Sequence, residues 1–235
     1  MNKLVVITGG TKGIGRALID KFLAGGFDVA TCARNHSDLE QLEKEVKANF
    51  PGAGIYVKPA DLSKKTEVLQ FAQFIREIDR PVEVLINNTG IFIPGMLHNE
   101  EDGVLETMMD TNLYSAYHLT RALIGEMMKN KRGDIFNICS VASIKAYPNG
   151  GSYAISKFAL LGFTKVLREE LKESGIRVIA VLPGATLTAS WEGVELPATR
   201  FMKPEDVADS IWSATQLSRQ SVVEEIIIRP QLGDL

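Results

Sequence analysis

Tyr153 and Lys157 stand four residues apart in SYAISKFALLGFTKVLREEL, a run whose apolar residues recur at helical spacing. On a helix that spacing brings both side chains to one face. A phenol beside an ammonium is a proton-transfer pair. Free tyrosine titrates near ~10, so proton exchange near neutral pH requires a fall of roughly 3 units, about 4 kcal/mol. One unit charge at ~4 Å in a partly shielded site is worth about that much. Ser140 lies thirteen residues before Tyr153, at the end of the apolar run DIFNIC. A strand end is where open α/β sheets present reactive groups, so its hydroxyl can hold a carbonyl oxygen while Tyr153 protonates it. A Tyr-x-x-x-Lys pair also arises by chance as a solvated helix pair, so its meaning depends on the rest of the chain.

Strands, tight turns and helices must position these groups. Lys3 to Thr8 is a short apolar run and IGRALIDKFLAGG is helical in period, with Thr8-Gly9-Gly10-Thr11-Lys12-Gly13-Ile14-Gly15 between them. The glycines permit a tight turn and close approach of a pyrophosphate to the helix N-terminus, which reads as a dinucleotide site; a plain structural turn is the other reading. The next run, FDVATCA, ends beside the expected adenosine ribose. Ala33 stands where an acidic residue would bind both ribose hydroxyls, so no carboxylate repels a 2′-phosphate. Arg34 can fork onto that phosphate and Lys12 can add a second charge, which predicts NADP(H) rather than NAD(H), unless both are ordinary surface cations.

Residues 38–49 read as an amphipathic helix, GIYVKPADLS as a third strand finishing at Asp61-Leu62, and VEVLI as a fourth ending in Asn87-Asn88-Thr89-Gly90. A long helical pattern covers residues 99–130. IRVIAVL predicts a further strand leading to Pro183, PEDVADSIWSATQL a helix with Pro204 in its first turn, and VVEEIIIRP a last strand. Strands alternating with helices predict one α/β domain over residues 1–235, a doubly wound parallel sheet of Rossmann type with helices on both faces.

TGGTKGIG, NNTG, Asn112, Ser140 and the Tyr153/Lys157 pair occur in one order, and together they resemble the short-chain dehydrogenase/reductase family over nearly all 235 residues. The spacing Gly9-x-x-x-Gly13-x-Gly15 is that family's form. The resemblance implies about seven strands and a catalytic set of Asn112, Ser140, Tyr153 and Lys157, with Lys157 also gripping the nicotinamide ribose. Cofactor contacts are implied at Gly9, Thr11, Lys12, Gly13, Ile14 and Gly15 in the glycine turn, and at Arg34 and Asn35. Further along they fall at Asp61, Leu62, Asn88 and Gly90, and beneath the nicotinamide at Pro183, Gly184, Thr186 and Thr188. Asp61 reads equally as the cap of the following helix, a role Ser63 would share. Asn112 either keeps its helix locally open, holding water beside Lys157, or is a buried and satisfied side chain. Thr89 departs from the Ala more usual in the family. Residues 185–203, with Trp191, suit a substrate lid or a loop packed on the core. A homodimer or homotetramer is implied by resemblance.

The expected reaction interconverts a carbonyl and a secondary alcohol, with Ser140, Tyr153 and Trp191 meeting the substrate. PGATLTASW, SVASIKAY and SVVEEIIIRPQLGD look like the bacterial sepiapterin-reductase branch, implying a flat pterin-like diketone stacked near Trp191, with Asp234 near its ring nitrogens. A generic hydrophobic ketone or 3-oxoacyl group is the alternative, and a non-catalytic NADP(H) sensor is a different class. A formal charge of −3 from 26 basic and 29 acidic residues, without a like-charged block, favours neither nucleic acid nor an anionic membrane. No apolar segment approaches the roughly 20 residues of a membrane span, and a cytoplasmic location is expected. Cys32 and Cys139 fit no metal spacing and read as buried thiols; His36, His98 and His118 are scattered, so no metal is expected.

Overall fold

The computed structural model describes residues 3–191, 193 and 195–235, Ser190 through its backbone only. Seven parallel strands form one sheet in the order β3-β2-β1-β4-β5-β6-β7. They are β1 (Lys3–Thr8), β2 (Phe27–Ala33), β3 (Ile55–Pro59), β4 (Val82–Asn87), β5 (Gly133–Ile138), β6 (Ile176–Pro183) and β7 (Glu225–Ile228). Central strands in such a sheet are covered on both faces and read as continuous apolar runs. In β1, Val5 and Ile7 join the core on one face while Leu4 and Val6 join the other. The register sets Val5 between Val29 of β2 and Val84 of β4.

Helices α1 (Gly13–Ala24), α2 (His36–Asn49) and α7 (Pro204–Thr215) contribute to the first core; α3 (Lys65–Glu77), α5 (Ser115–Asn130) and α6 (Gly151–Leu171) contribute to the second. A buried polar chain ties the second layer to the sheet. Asn87 donates to Thr120 Oγ1 at 3.0 Å and to Asn137 Oδ1 at 2.8 Å, and Asn137 donates to Thr164 Oγ1 at 2.9 Å. It spans β4, β5, α5 and α6 and so helps to seat the helix carrying Tyr153 and Lys157, leaving Asn87 Oδ1 as a buried acceptor without a partner among the described residues.

Local hydrogen bonding moves four element boundaries from their predicted places. α2 starts at His36 because Asn35 accepts from Ser37 N at 3.0 Å and caps it. β3 stops at Pro59, short of Asp61-Leu62, because Asp61 folds over the next turn and accepts from Ser63 N and Oγ. The pattern of residues 99–130 divides into α4 (Val104–Met109), a π-helical turn (Asp110–Tyr114) and α5; Gly103, at φ +90°, starts it late. β7 is limited to four residues: Arg177 takes the carbonyl of Ser221, Arg168 that of Glu224, and Pro230 has no N–H to continue pairing.

The end of the sheet away from the site is held by Asp134. Its buried carboxylate accepts from Arg177 at 2.7 and 2.6 Å and from Arg219 at 2.6 Å; Arg177 also donates to the carbonyls of Thr215, Leu217, Ser218 and Ser221, and Arg219 to those of Gly133 and Gly175. Removing one partner of such a pair leaves a buried charge uncompensated. Asp134→Ala should therefore lose about 3–5 kcal/mol in urea unfolding while the folded fraction keeps its turnover. A loss below about 1 kcal/mol would mean that solvent already screens the cluster.

Candidate active site

The strand order reverses between β1 and β4, so the connections leaving their carboxyl ends turn to opposite faces and open a crevice. Thr8 and Asn88 lock its base. Thr8 Oγ1 accepts from the backbone of Asn88 and of Thr89 at 2.9 Å, and Asn88 Nδ2 donates to the carbonyls of Thr8 at 2.8 Å and Gly9 at 3.1 Å. The crevice widens into a cleft of ≈ 1060 Å³, and every residue expected from sequence to serve the site lines it except Asn112.

One half of the cleft is a glycine turn before α1. Gly9 and Gly13 have φ of +68° and +54°, and a Cβ on Gly15 would collide with the Gly9 carbonyl. Lys12 precedes the helix without a side-chain cap, leaving the first-turn N–H groups of α1 for an anion. Thr11 and Ile14 line the same turn, and Thr188 crosses it, its methyl beside Gly13. Beyond lie Arg34, Asn35, Asp61 and Leu62. Asn35 and Asp61 already hold local turns, and Ser63 shares the Asp61 turn rather than capping α3, whose N-cap is Lys64. Lys12 pairs with Asp38 at 3.1 Å. Sequence reading missed Asp38, although an acid in the first turn of a helix following Arg34 is a usable signal. This half fits a phosphorylated dinucleotide: a turn that only glycine can make, free helix N–H groups, and two cations where the ribose would end.

The other half holds the reactive side chains. Ser140 stands two residues past β5 and its Oγ accepts from Ala142 N at 3.1 Å; it shares the cleft wall with Tyr153, and its hydroxyl pulls the phenol's titration down. Phe92 packs edge-on against the Tyr153 ring with centroids 4.9 Å apart, a contact with no signature in the sequence. Lys157 is 4% exposed; its Nζ donates to the Ile138 carbonyl at 2.8 Å and lies 5.7 Å from the Tyr153 ring centroid. Gly90 approaches it closely enough that a Cβ would sit 3.4 Å from Nζ.

The electrostatics differ from the sequence expectation. The cation does not make the phenol acidic: burial pushes the Tyr153 hydroxyl up to about 12, against a smaller downward pull from the Ser140 hydrogen bond. Burial also pushes the Lys157 ammonium down to about 8. The hydrogen bond described for the Lys157 head goes to Ile138, and the ammonium lies over the Tyr153 ring. At neutral pH the site therefore holds a protonated phenol beside a cation. Asn112 sits in the π-helical turn, as the locally open helix anticipated, but its side chain is fully engaged: Oδ1 accepts from Ile91 N at 2.7 Å, and Nδ2 donates to Ile91 O at 3.0 Å and Ser156 Oγ at 2.9 Å. It clamps the loop after β4 onto α6.

Pro183 ends β6, and Gly184 N donates to Ile228 O at 2.8 Å, which holds the following loop over the cleft. Thr186 turns its hydroxyl inward to the Gly184 carbonyl at 3.1 Å. Trp191 lines the wall and packs on Phe201 with centroids 5.2 Å apart; Glu192 and Val194 of the expected lid lie outside the described residues. Asp234 also lines the cleft, but its carboxylate faces Arg229 at 3.5 Å, so it is already paired. Among the described residues no cluster of side chains could hold a metal ion, and no helix is long and apolar enough to cross a membrane.

The short chain dehydrogenase family model matches residues 3–197. A sepiapterin reductase of Chlorobaculum tepidum is 34% identical, covering 100% of this chain and 99% of its own, and a 3alpha-hydroxysteroid dehydrogenase of Mediterraneibacter gnavus is 32% identical, covering 96% and 94%. Among solved structures, a metagenomic short-chain oxidoreductase in complex with NADP is 30% identical with a TM-score of 0.84 over 97% of each chain. An alcohol dehydrogenase of Thermococcus sibiricus complexed with 5-hydroxy-NADP superposes with a TM-score of 0.91 at 24% identity, over 98% of this chain and 97% of its own. A family match spanning β1 to the loop beyond β6, on a sheet of this strand order, makes the chain a member of the short chain dehydrogenase family, an oxidoreductase by descent.

Proposed function

We propose that the protein interconverts a carbonyl and a secondary alcohol with NADP(H), and that it is built for the reducing direction. One arrangement carries this: the Ser140 hydroxyl and the Tyr153 phenol line one cleft wall with the buried Lys157 side chain among them, and burial raises the phenol's titration so that it keeps its proton at neutral pH. When bound, NADPH supplies the hydride. Ser140 and Tyr153 hold the carbonyl oxygen of the substrate, and the phenol gives that oxygen its proton. The Lys157 charge favours the phenolate left behind. Asn112 keeps the loop and α6 in register. The glycine turn and the first N–H groups of α1 cradle the pyrophosphate. Arg34 takes the 2′-phosphate, and Lys12 joins it by exchanging Asp38 for the more highly charged partner. Pro183, Gly184, Thr186 and Thr188 hold the amide end of the cofactor, and Asn88 and Gly90 shape the ribose pocket.

For the substrate we favour sepiapterin or a related flat diketone side chain. The support is the full-length similarity to the Chlorobaculum tepidum reductase and an indole on the cleft wall. Residues 185–203 act as the substrate loop, and Asp234 reads a polar ring edge only by loosening from Arg229. A bulkier apolar ketone is the second reading, supported by the steroid dehydrogenase relative and by exposed Ile144 and Tyr147 beside the cleft residues Lys145 and Pro148. Exposed Tyr114, Ile155, Phe158 and Val166 support self-association through the α5–α6 side as a homodimer or homotetramer. The buried free thiols Cys32 and Cys139, both with titration pushed upward by burial, fit a reducing compartment, the cytoplasm.

The direct test is loss of NADPH absorbance with a panel of sepiapterin, small diketones, steroid ketones and a 3-oxoacyl thioester. Tyr153→Phe should lower turnover by about 10²–10⁴-fold and leave NADPH affinity within a few-fold. Near-normal turnover in this variant would remove Tyr153 from the chemistry, and no turnover of any carbonyl by the native protein would favour a cofactor sensor. Arg34→Asp should raise the NADPH KM at least tenfold and shift preference toward NADH; an unchanged preference would refute the phosphate assignment.

A further inference from the structure

Residues 90–103 cross in front of α6 and are fastened to its first turn. Gly95 N donates to the Asn149 carbonyl at 3.1 Å, and Gly95 and Gly150 form a bridge. The Glu100 carboxylate then reaches into the helix start: Oε1 accepts from Ser152 N at 3.0 Å, and Oε2 accepts from Ser152 Oγ. The approach depends on missing side chains. A Cβ on Gly151, at φ +28°, would run into Glu100 and the Gly95 carbonyl, and one on Gly95 would lie 2.8 Å from Glu100 Cγ. α6 has no side-chain cap of its own, since Gly150 occupies that position. A carboxylate from a distant loop therefore does the work of an N-cap.

We propose that Glu100 is a positioning residue for the reaction, holding the first turn of α6 so that the Tyr153 hydroxyl stays at the cleft wall it shares with Ser140. The inference rests on the reading of Tyr153 as proton donor. Tyr153 directly follows Ser152, and the two residues before Ser152 are glycines with the largest backbone freedom. Without Glu100 the Ser152 N–H and hydroxyl both lose their acceptor. The turn then frays at the position from which the phenol is aimed, and misplacement by about 1 Å can cost about 10²-fold in rate. Phe92, edge-on to Tyr153, belongs to the same loop, so the fastening steadies the ring from its outer side as well. The carboxylate touches neither Tyr153 nor the cleft, whose lining does not include it. Its influence passes through Ser152.

Glu100→Ala and Glu100→Gln, in the full chain with NADPH and the best carbonyl of the panel, test this. A glutamine keeps an acceptor for Ser152 N and can donate to Ser152 Oγ, so it preserves the fastening without the charge. The expected result is a fall in kcat of about 10- to 100-fold for the alanine variant, with NADPH affinity within twofold, and at least one third of native kcat for the glutamine variant. In a Tyr153→Phe background, Glu100→Ala should cost less than twofold more, because the group it positions is gone. Should Glu100→Ala fail to fold, Ser152→Ala, which removes one of the two bonds, should lower kcat several-fold with NADPH affinity retained. A native-like kcat in Glu100→Ala or, in its place, Ser152→Ala overturns the proposal. So does a glutamine variant as slow as the alanine one, or a further tenfold loss in the phenylalanine background. If Tyr153→Phe alone keeps native turnover, the proton-donor reading fails first, and that outcome is separate from any effect of Glu100.

Discussion

A lysine ammonium with one carbonyl for company, sunk between the end of β5 and the first turns of α6, is the interaction around which the site is built. Burial opposes its charge, which is why its proton is held only up to about pH 8 instead of near the usual 10.5. The folded protein therefore binds fewer protons than the unfolded chain between those values. Stability rises with pH across that window, and below it Lys157 opposes folding. A side chain that weakens the fold in its charged form is one whose charge serves something else. The surroundings keep it in place: Gly90 leaves room for Nζ, Asn112 and Ser156 tie the neighbouring loop to α6, and Ile138 supplies the one hydrogen bond described.

The same logic places the phenol. Tyr153 is raised by burial while Lys157 is lowered by it, so the two environments drive both groups toward neutrality. At neutral pH the pair still divides the work, with a proton available on the oxygen and a positive charge behind it. The proposed reduction needs a proton donor, and a phenol whose titration is raised still carries its proton at neutral pH. The glycine turn at the other end of the cleft follows a similar economy. Its glycines leave the first N–H groups of α1 open to the cleft, and Lys12 and Arg34 line the cleft beside them.

Much of the architecture is legible in the chain because the strands are apolar on both faces and the turns are punctuated by glycine. LVVIT, FDVATCA and IRVIAVL carry their own burial, so β1, β2 and β6 fall where expected. What the chain hides are boundaries decided by distant partners. β7 is cut short by arginines on α6 and β6, and the helix of residues 99–130 is broken by a glycine at positive φ and by the π turn that seats Asn112. The cleft residues were recoverable because their motifs are local. The upward shift of Tyr153 was not, since a four-residue spacing fixes a shared face but says nothing of how deeply the phenol is buried. Asp38, Phe92 and Glu100 were missed for a related reason: each acts through a contact whose partner lies on another element or across a turn.

The most direct test is the pH dependence of kcat/KM for NADPH-dependent carbonyl reduction between pH 6 and 10. This quantity follows the titration of the free enzyme's essential groups. With Tyr153 protonated throughout and Lys157 losing its charge above about 8, kcat/KM should be level up to neutral pH. It should then fall by about tenfold per unit well above pH 8. A profile that stays level to pH 10, or rises above pH 8, would contradict a buried lysine cation as the partner of the proton-donating phenol.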